Sequence, residues 1–527
     1  VQHEMPRCIH CYRCSRFYQE FSGYRDLGAM QSANQTYFGR FEEGILESPF
    51  SGNLIDICPT GVYTDKPSRY FGRRWDYERS PSLCINCSLG CHTITSSRYR
   101  KVVRQEARLS KVVNGHFICD RGRYGFMYNS LPQRPRSAFV DAQTASVDEA
   151  LAALKKRLQA IVDKDGSLAV ACAGSSRSSL ETLAMVKRLS HAQSWQPPAY
   201  FVDNTITRKV KTAISRLEPD LAVSMREIES ADFVAVLAAD PLNEAPMLAL
   251  ALRQARRKGA MIAVFDPRPV CLPCEFMHLP VDLDAIHTGF SAVISAAIDA
   301  AAVDQLVGPA REFYSSLANG AQTSAAQPAE IDALAQKLKT SQRPVVVCGT
   351  ESVRRQTPAL AADYAALLQA AGKAAGLFYL MPGANAFAAG ILADENVSLE
   401  TLITAIEQGS IQGLILVESN PLWQFPDRQR FERALDKLGL LVVMDHVNSE
   451  VAQKANIFLP TATLYETGGI YINQEGRAQA VGPAYRGGIP ITQTGAGDHP
   501  PRIYDSQIPG GDIQAAWQIL AQCLDTG

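Results

Sequence analysis

A chain of 527 residues, 46% apolar and 20% charged, exceeds the roughly 250–300 residues at which a single core stops growing, so two to four domains are expected. The apolar fraction excludes a mainly disordered chain, and a formal net charge of −1 argues against a generic nucleic-acid binder. That neutrality is an average, because residues 66–136 carry fifteen Lys/Arg against four Asp/Glu.

Eight of the thirteen cysteines precede residue 120. A disulfide framework, a zinc site and an iron-sulfur protein all give such clustering; disulfide scaffolds belong to short secreted chains, and no signal peptide is visible here. The sequence opens at Val1 without an initiator Met, so an upstream segment is expected. The longest charge-free stretch of membrane size, 374–393, contains Pro382, Gly383 and Asn385. It suits a strand, a loop and a helix start better than a bilayer span, and any work at a membrane would run through a partner.

Residues 1–75 are dense in turn formers and aromatics, with Gly23, Gly28, Gly39, Gly44, Pro49 and Gly52 interrupting the apolar runs. Long elements are not expected there, and a thin core calls for a staple such as a metal cluster. Residues 76–136 read as small antiparallel strands around a cysteine loop, ending in a proline-rich linker at 131–136. Beyond about 145, strand-like runs at 167–174, 231–238, 260–265, 344–348, 413–417 and 440–444 alternate with helical stretches such as 178–189 and 245–257. That alternation predicts doubly wound, mostly parallel sheets covered on both faces, in two lobes. The Ala/Gln-rich stretch 319–328 reads as a surface loop.

The first cysteine set is Cys8-Ile-His-Cys11-Tyr-Arg-Cys14, with Cys58-Pro59 downstream. Two x2 spacings let one tight loop present three thiolates to three corners of a cubane, and Cys-Pro at the distant fourth position is a bacterial ferredoxin signature. A structural zinc site more often takes two C-x2-C pairs. The second set is Cys84, Cys87, Cys91 and Cys119, with Gly90 just before the third thiol. Gly90 would let the chain turn close to an inorganic sulfide without a Cβ clash. Both sets read as [4Fe-4S] sites, with zinc and unliganded core cysteines as the alternatives.

A +2 cubane with four thiolates carries about −2, so Arg98, Arg100, Lys101, Arg104, Arg121 and Arg123 are candidates to offset it, against a plain solvated basic face. Cys172 and Cys348 read as core residues and Cys523 is unassigned. Cys271-Leu-Pro-Cys274 could be redox-active or bind a metal. His3, His10 and His92 are not needed as ligands, each set already having four thiols. No GxGxxG and no GxxxxGK[ST] is present, so neither a nicotinamide nor a nucleoside triphosphate site is readable.

These cysteine sets, the segment Phe50-Ser-Gly-Asn-Leu-Ile-Asp-Ile-Cys-Pro-Thr-Gly61, and Leu459-Pro-Thr-Ala through Asn473-Gln-Glu-Gly-Arg477 resemble the large iron-sulfur subunit family of bacterial NADH-quinone oxidoreductase, respiratory complex I, within the molybdopterin oxidoreductase superfamily. The resemblance implies an α/β architecture: a ferredoxin-like [4Fe-4S] module at 1–76, a second [4Fe-4S] module at 77–136, formate dehydrogenase-like lobes at 137–490 and a C-terminal extension at 491–527. It implies electron transfer from NADH, via the flavin subunit, towards quinone. Cys8, Cys11, Cys14 and Cys58 would hold a cubane on the main route; Cys84, Cys87, Cys91 and Cys119 would hold one off it. Expected partners are the flavin/NADH-binding and quinone-proximal iron-sulfur subunits of the hydrophilic arm, on the cytoplasmic face of the bacterial inner membrane, with no nucleic acid and no direct membrane span. The family's N-terminal [2Fe-2S] region, its further [4Fe-4S] cluster and its C-terminal barrel have no counterpart here, so the chain reads as an internal fragment. The alternative is a molybdenum-dependent oxidoreductase of the formate dehydrogenase type, since Glu418-Ser-Asn-Pro421 resembles the loop that holds a pterin dinucleotide. Such an enzyme normally has a Cys, selenocysteine or Ser ligand to molybdenum. Cys172 lies in a strand-like run and is a poor match, so no molybdopterin is expected.

Overall fold

The apolar runs become strands because most are buried on both faces, where alternation is not required. Five of them, in the order Met277–Leu279, Met261–Phe265, Phe233–Leu237, Pro344–Gly349 and Gly376–Leu380, form an all-parallel sheet. The other lobe has the order Val170–Ala173, Gly413–Val417, Leu440–Asp445 and Ile457–Pro460, all parallel, then Ala138–Val140 and Gln143–Ala145 added antiparallel at one edge. The lobes are nested: the chain makes Val170–Ala173, builds the whole five-stranded sheet, and returns to pair Cys172 with Ile415. Helices cover the sheets, and their starts are written locally. Val147–Asp165, for example, is opened by a capping box in which the Ser146 hydroxyl accepts from the Glu149 N–H and the Glu149 carboxylate accepts from the Ser146 N–H.

The computed structural model describes residues 1–320, 328–494, 510 and 513–524. Of the loop expected at 319–328, residues 321–327 lie outside the described residues, as does most of 491–527. Among the described residues, no helix is long and apolar enough to cross a membrane.

The cysteine-bearing segments sit on the five-stranded lobe. Residues 1–76 contain only short elements: a helical turn at Arg13–Ser15 running into a wide turn at Arg16–Phe21, a hairpin of Leu27–Met30 with Tyr37–Arg40, and a helix at Asn53–Ile57. Their core of Phe17, Tyr18, Phe38, Phe50 and Leu54 is not isolated. It is continuous with Leu248, Leu252, Val234 and Val264 of the lobe, so apolar packing against the sheet supplements any metal staple. The next segment is a three-stranded antiparallel sheet, Glu78–Leu83, His92–Arg98 and Lys101–Ala107, whose first connection is the Cys84–Cys91 loop.

The stretch 131–136 is no free linker. Arg134 is buried and forms a bidentate pair with Glu466, while Arg136 Nη1 donates to Glu466 Oε1 at 3.0 Å. Arg134 Nη2 also donates to the Thr461 carbonyl at 3.2 Å. The stretch's proline content suggested a linker, but a carboxylate more than three hundred residues away turns it into an internal tie.

Candidate metal centres

The first set is assembled by left-handed backbone between its thiols. His10 and Tyr12, at φ 52° and 60°, curl the chain so that Cys8, Cys11 and Cys14 share one loop. Cys58 closes the set from the C-terminal cap of Asn53–Ile57. Backbone N–H groups point at sulfur: His10 donates to Cys8 Sγ at 3.3 Å and Val62 to Cys58 Sγ at 3.2 Å. Burial acts to raise the Cys58 thiol, but the N–H groups of Tyr63, Thr60 and Val62 outweigh it and hold the thiol below its ordinary value. Burial pushes Cys14 up to about 11, with Cys11, Cys8 and Cys58 adding like charge. Cys11 is exposed, so this set opens to the surface on one side.

The second set lies deeper: Cys84, Cys91 and Cys119 are buried and Cys87 is half-buried. Burial, followed by a neighbouring thiol of the same set, pushes Cys84, Cys87 and Cys119 up to about 12, and Cys91 also moves well above its ordinary range. Four thiolates cannot persist together in such a pocket without a cationic core; binding one would release their protons. The Gly122 N–H donates to Cys119 Sγ at 3.4 Å, and Asn86 Nδ2 donates to Cys84 Sγ at 3.4 Å. A Cβ on Gly122 would stand 3.2 Å from Cys84 Sγ and 3.7 Å from Cys119 Sγ, so this glycine leaves room beside two thiols. Among the described residues, no three His, Cys, Asp or Glu side chains converge closely enough to hold a single metal ion, and no disulfide joins the cysteines of either set.

Gly90 is also required by the protein itself. It sits at φ 62°, and a Cβ there would meet Gln479 Oε1 at 2.3 Å and Asn473 Cβ at 3.3 Å. The lobe residues of the 473–479 segment grip the cysteine loop: Gln479 Nε2 donates to the Gly90 carbonyl at 3.0 Å, and the Gln474 N–H donates to the Ser88 carbonyl at 3.2 Å. Gly90→Ala should therefore destabilise the loop by about 1–2 kcal/mol from the left-handed backbone alone. Urea midpoints of the variant and parent measure this; an unchanged midpoint would show that the loop is not held as described.

Of the six basic candidates, Arg121 acts on the thiols, lowering Cys84, Cys87 and Cys119 against burial. Arg104 Nη2 pairs with Asp56 Oδ1 at 2.8 Å, and Arg123 is buried against the same carboxylate. Arg98 donates to the Phe71 carbonyl and stacks over Tyr99, and Lys101 lies over the Phe71 ring. Burial lowers the pKa of Arg100, with Arg136 adding to the effect. Arg98, Lys101, Arg104 and Arg123 are thus engaged within the protein. His3 stacks on Tyr63, and His92 lies against Gln479 and Arg108.

Sequence reasoning missed the bracket that joins the two fourth cysteines. Asn53 Nδ2 donates to the Ile118 carbonyl at 2.7 Å, and the Ile118 N–H returns to Asn53 Oδ1 at 3.2 Å. Asp120 accepts from Ser51 Oγ at 2.6 Å and from the Gly52 N–H at 2.7 Å. The turn leading to Cys58 and the turn bearing Cys119 are thereby one unit. Asp120 stands next to a cysteine, the only sequence signal it carried.

Next to the second set, the lobes enclose a cavity of about 310 Å³ lined by Ile85, Arg177, Glu418, Trp423, His446 and Tyr471, and an adjoining cleft of about 600 Å³. Burial pushes the Glu418 carboxyl up to about 7, with Asp445 adding, and drives His446 down to about 4. Cys172 is buried in Val170–Ala173 and lines neither cavity. Ser176 Oγ donates to the Pro382 carbonyl at 2.8 Å, and Ser179 caps the helix Leu180–Ala192. The residues present do not fit a molybdenum ligand sphere.

The nested α/β lobes with a cysteine module ahead of them define a class. The family model of molybdopterin oxidoreductase matches residues 143–487, and that of the NADH-quinone oxidoreductase subunit 3 ferredoxin-like domain matches residues 1–64. The chain belongs to the molybdopterin oxidoreductase family, and its ferredoxin-like part implies iron-sulfur clusters. It is similar to the G subunit of NADH-quinone oxidoreductase from Shewanella oneidensis, 32% identical over 549 residues, covering 100% of this chain and 57% of that protein. It is also similar to the G subunit of the Pseudomonas putida enzyme, 33% identical over 507 residues, covering 91% and 53%. The chain thus spans about half the length of the curated relatives it matches. Among solved structures, acetylene hydratase from Pelobacter acetylenicus shares the fold, with a TM-score of 0.61 at 14% identity, over 84% of this chain and 69% of that one.

Proposed function

We propose that this chain is the cluster-bearing part of an electron-transfer subunit in a proton-translocating NADH-quinone oxidoreductase. On this reading it carries electrons originating at NADH from a flavin subunit towards quinone. It would work beside the flavin/NADH-binding and quinone-proximal iron-sulfur subunits, peripherally on the cytoplasmic face of the bacterial inner membrane. The division is a [4Fe-4S] module at 1–76 held by Cys8, Cys11, Cys14 and Cys58, a second at 77–136 held by Cys84, Cys87, Cys91 and Cys119, lobes at 137–490 and an extension at 491–527. The observation that carries the reading is the pair of four-thiol sets receiving backbone N–H bonds at sulfur, in a chain 32% identical to the G subunit of NADH-quinone oxidoreductase from Shewanella oneidensis.

When bound, such clusters supply reversible one-electron chemistry. The chain's own residues do the rest. The N–H groups of His10 and Val62 stabilise negative sulfur in the first set. Those of Gly122 and the side chain of Arg121 do so in the second. Exposure at Cys11 leaves the first set open to a partner, while burial isolates the second. This asymmetry supports a through-route at the first set and a side position at the second.

The test is made in the assembled complex. Cys11→Ser is expected to abolish most NADH:quinone activity while leaving flavin-site reduction of ferricyanide intact. Cys87→Ser should lower the yield of assembled complex, with near-parent activity per complex. Equal losses per assembled complex for both variants would contradict the route assignment.

A further inference from the structure

Cys271 and Cys274 belong to neither thiol set, and nothing in the proposed electron path uses them. They lie on the loop between Met261–Phe265 and Met277–Leu279. Both thiols border a cleft of about 880 Å³, also lined by Arg25, Arg253, Arg256 and Arg257. Cys271 is exposed and Cys274 half-buried.

The loop is clamped at its middle. Arg253 Nη1 donates to the Pro273 carbonyl at 2.6 Å, and its other nitrogens donate to the carbonyls of Phe21 at 3.0 Å, Glu20 at 2.9 Å and Gln19 at 3.1 Å. Gly23 lies so close beneath that a Cβ would stand 2.4 Å from the Pro273 oxygen. The clamp fixes the backbone between the two cysteines; both residues line the cleft, and Cys274 also packs against the apolar core beneath it. Arg256 is paired with Glu275 at 2.7 Å, whereas Arg25 and Arg257 form no ion pair with a carboxylate among the described residues; Arg257 Nη1 donates only to the neutral Gln254 Oε1, at 2.9 Å, and its guanidinium lies over the Phe21 ring. Burial pushes Cys274 up to about 11, with Arg253 and Arg256 opposing it. Exposure makes Cys271 the thiol that a molecule in the cleft reaches first.

We propose that Cys271 and Cys274 form a thiol-disulfide exchange site whose oxidant is an anionic low-molecular-weight disulfide of the oxidised glutathione class, its carboxylates received by Arg25 and Arg257. Cys271 gives its proton to water and attacks one sulfur of the ligand; the ligand's S–S bond breaks and one thiolate leaves. Cys274 then loses its proton and attacks Cys271 Sγ, breaking the mixed disulfide and releasing the second thiolate. The protein dithiol loses two electrons and two protons, and the ligand gains them as two thiols.

The experiment equilibrates the full chain, anaerobically, with graded ratios of oxidised to reduced glutathione, blocks free thiols with N-ethylmaleimide and maps the peptides by mass. Expected is a Cys271–Cys274 intramolecular disulfide that forms and reverses with the ratio, while Cys172 and Cys348 stay reduced. Full alkylation of both cysteines at every ratio, or only separate glutathione adducts, would overturn the site. The double variant Arg25→Gln, Arg257→Gln should slow oxidation by oxidised glutathione roughly tenfold at low salt and leave oxidation by uncharged hydroxyethyl disulfide unchanged. Equal rates of variant and parent with glutathione, or equal slowing with both oxidants, would overturn the anionic ligand.

Discussion

Glu466→Ala should destabilise the folded chain by about 3–5 kcal/mol, because it leaves Arg134 buried without its counter-charge and removes the partner of Arg136. The Arg134 and Glu466 side chains are only 1% and 2% exposed, so water cannot take over the lost pairing. The same carboxylate accepts the Tyr485 hydroxyl at 3.3 Å and the Thr463 N–H at 2.9 Å, which concentrates several ties on one residue. Burial acts to raise Glu466, but Arg134 and then Arg136 hold it below the ordinary carboxylate value. Its contribution is therefore complete above the ordinary carboxylate range and is lost as pH falls through the lower, folded value. Urea midpoints at neutral pH and towards pH 3 to 4 check both statements. A neutral-pH loss below about 1 kcal/mol, or a parent whose stability does not fall on acidification, would contradict them.

The second large effect concerns the amino-terminal module. If the first thiol set holds the cluster proposed for it, Cys58→Ser should remove that cluster, and removal of iron by chelation should act in the same way. Because metal binding and folding share their free energy in small modules, residues 1–76 should become accessible to limited proteolysis. The lobes should persist: their sheets hold buried strands such as Phe233–Leu237 and Gly413–Val417 with no cysteine from either set. The shared aromatic core argues against complete unfolding, since Phe17 and Phe50 pack in the same cluster as Leu248 and Leu252. Peptide-resolved hydrogen exchange separates the outcomes. Protection unchanged throughout 1–76 would show that packing alone holds the module, and loss of protection across both lobes would show that the cluster supports the whole chain.

Much of the α/β architecture was legible because its strands are short, apolar and buried on both faces. The runs at 231–238, 260–265 and 413–417 became strands within one or two residues. Pairing was not legible. Nothing in Val170–Ala173 announces that its neighbour is Gly413–Val417, because the nested sheet between them leaves no local trace. The spacing of the cysteines placed Cys8, Cys11 and Cys14 on one loop and Cys84, Cys87 and Cys91 on another, as the backbone does. The charges around them were not legible: Arg104 and Arg123 read as candidate cluster counter-ions, yet Asp56 claims both. The stretch 131–136 read as a linker for the same reason, since the environment of Arg134 is set by Glu466 rather than by its sequence neighbours. Gly90 shows a subtler case, in which the residue was singled out correctly but the neighbour that requires it, Gln479, lies in a distant lobe.

The central claim is that two cubane clusters occupy these two thiol sets. The chain, purified anaerobically, should be analysed for iron, acid-labile sulfide, zinc and molybdenum alongside electron paramagnetic resonance of the dithionite-reduced protein. The account predicts about eight irons and about eight sulfides per chain, falling by half in either Cys58→Ser or Cys91→Ser, with two resolved cubane signals and no molybdenum. A colourless protein holding zinc, or one molybdenum per chain, would contradict it.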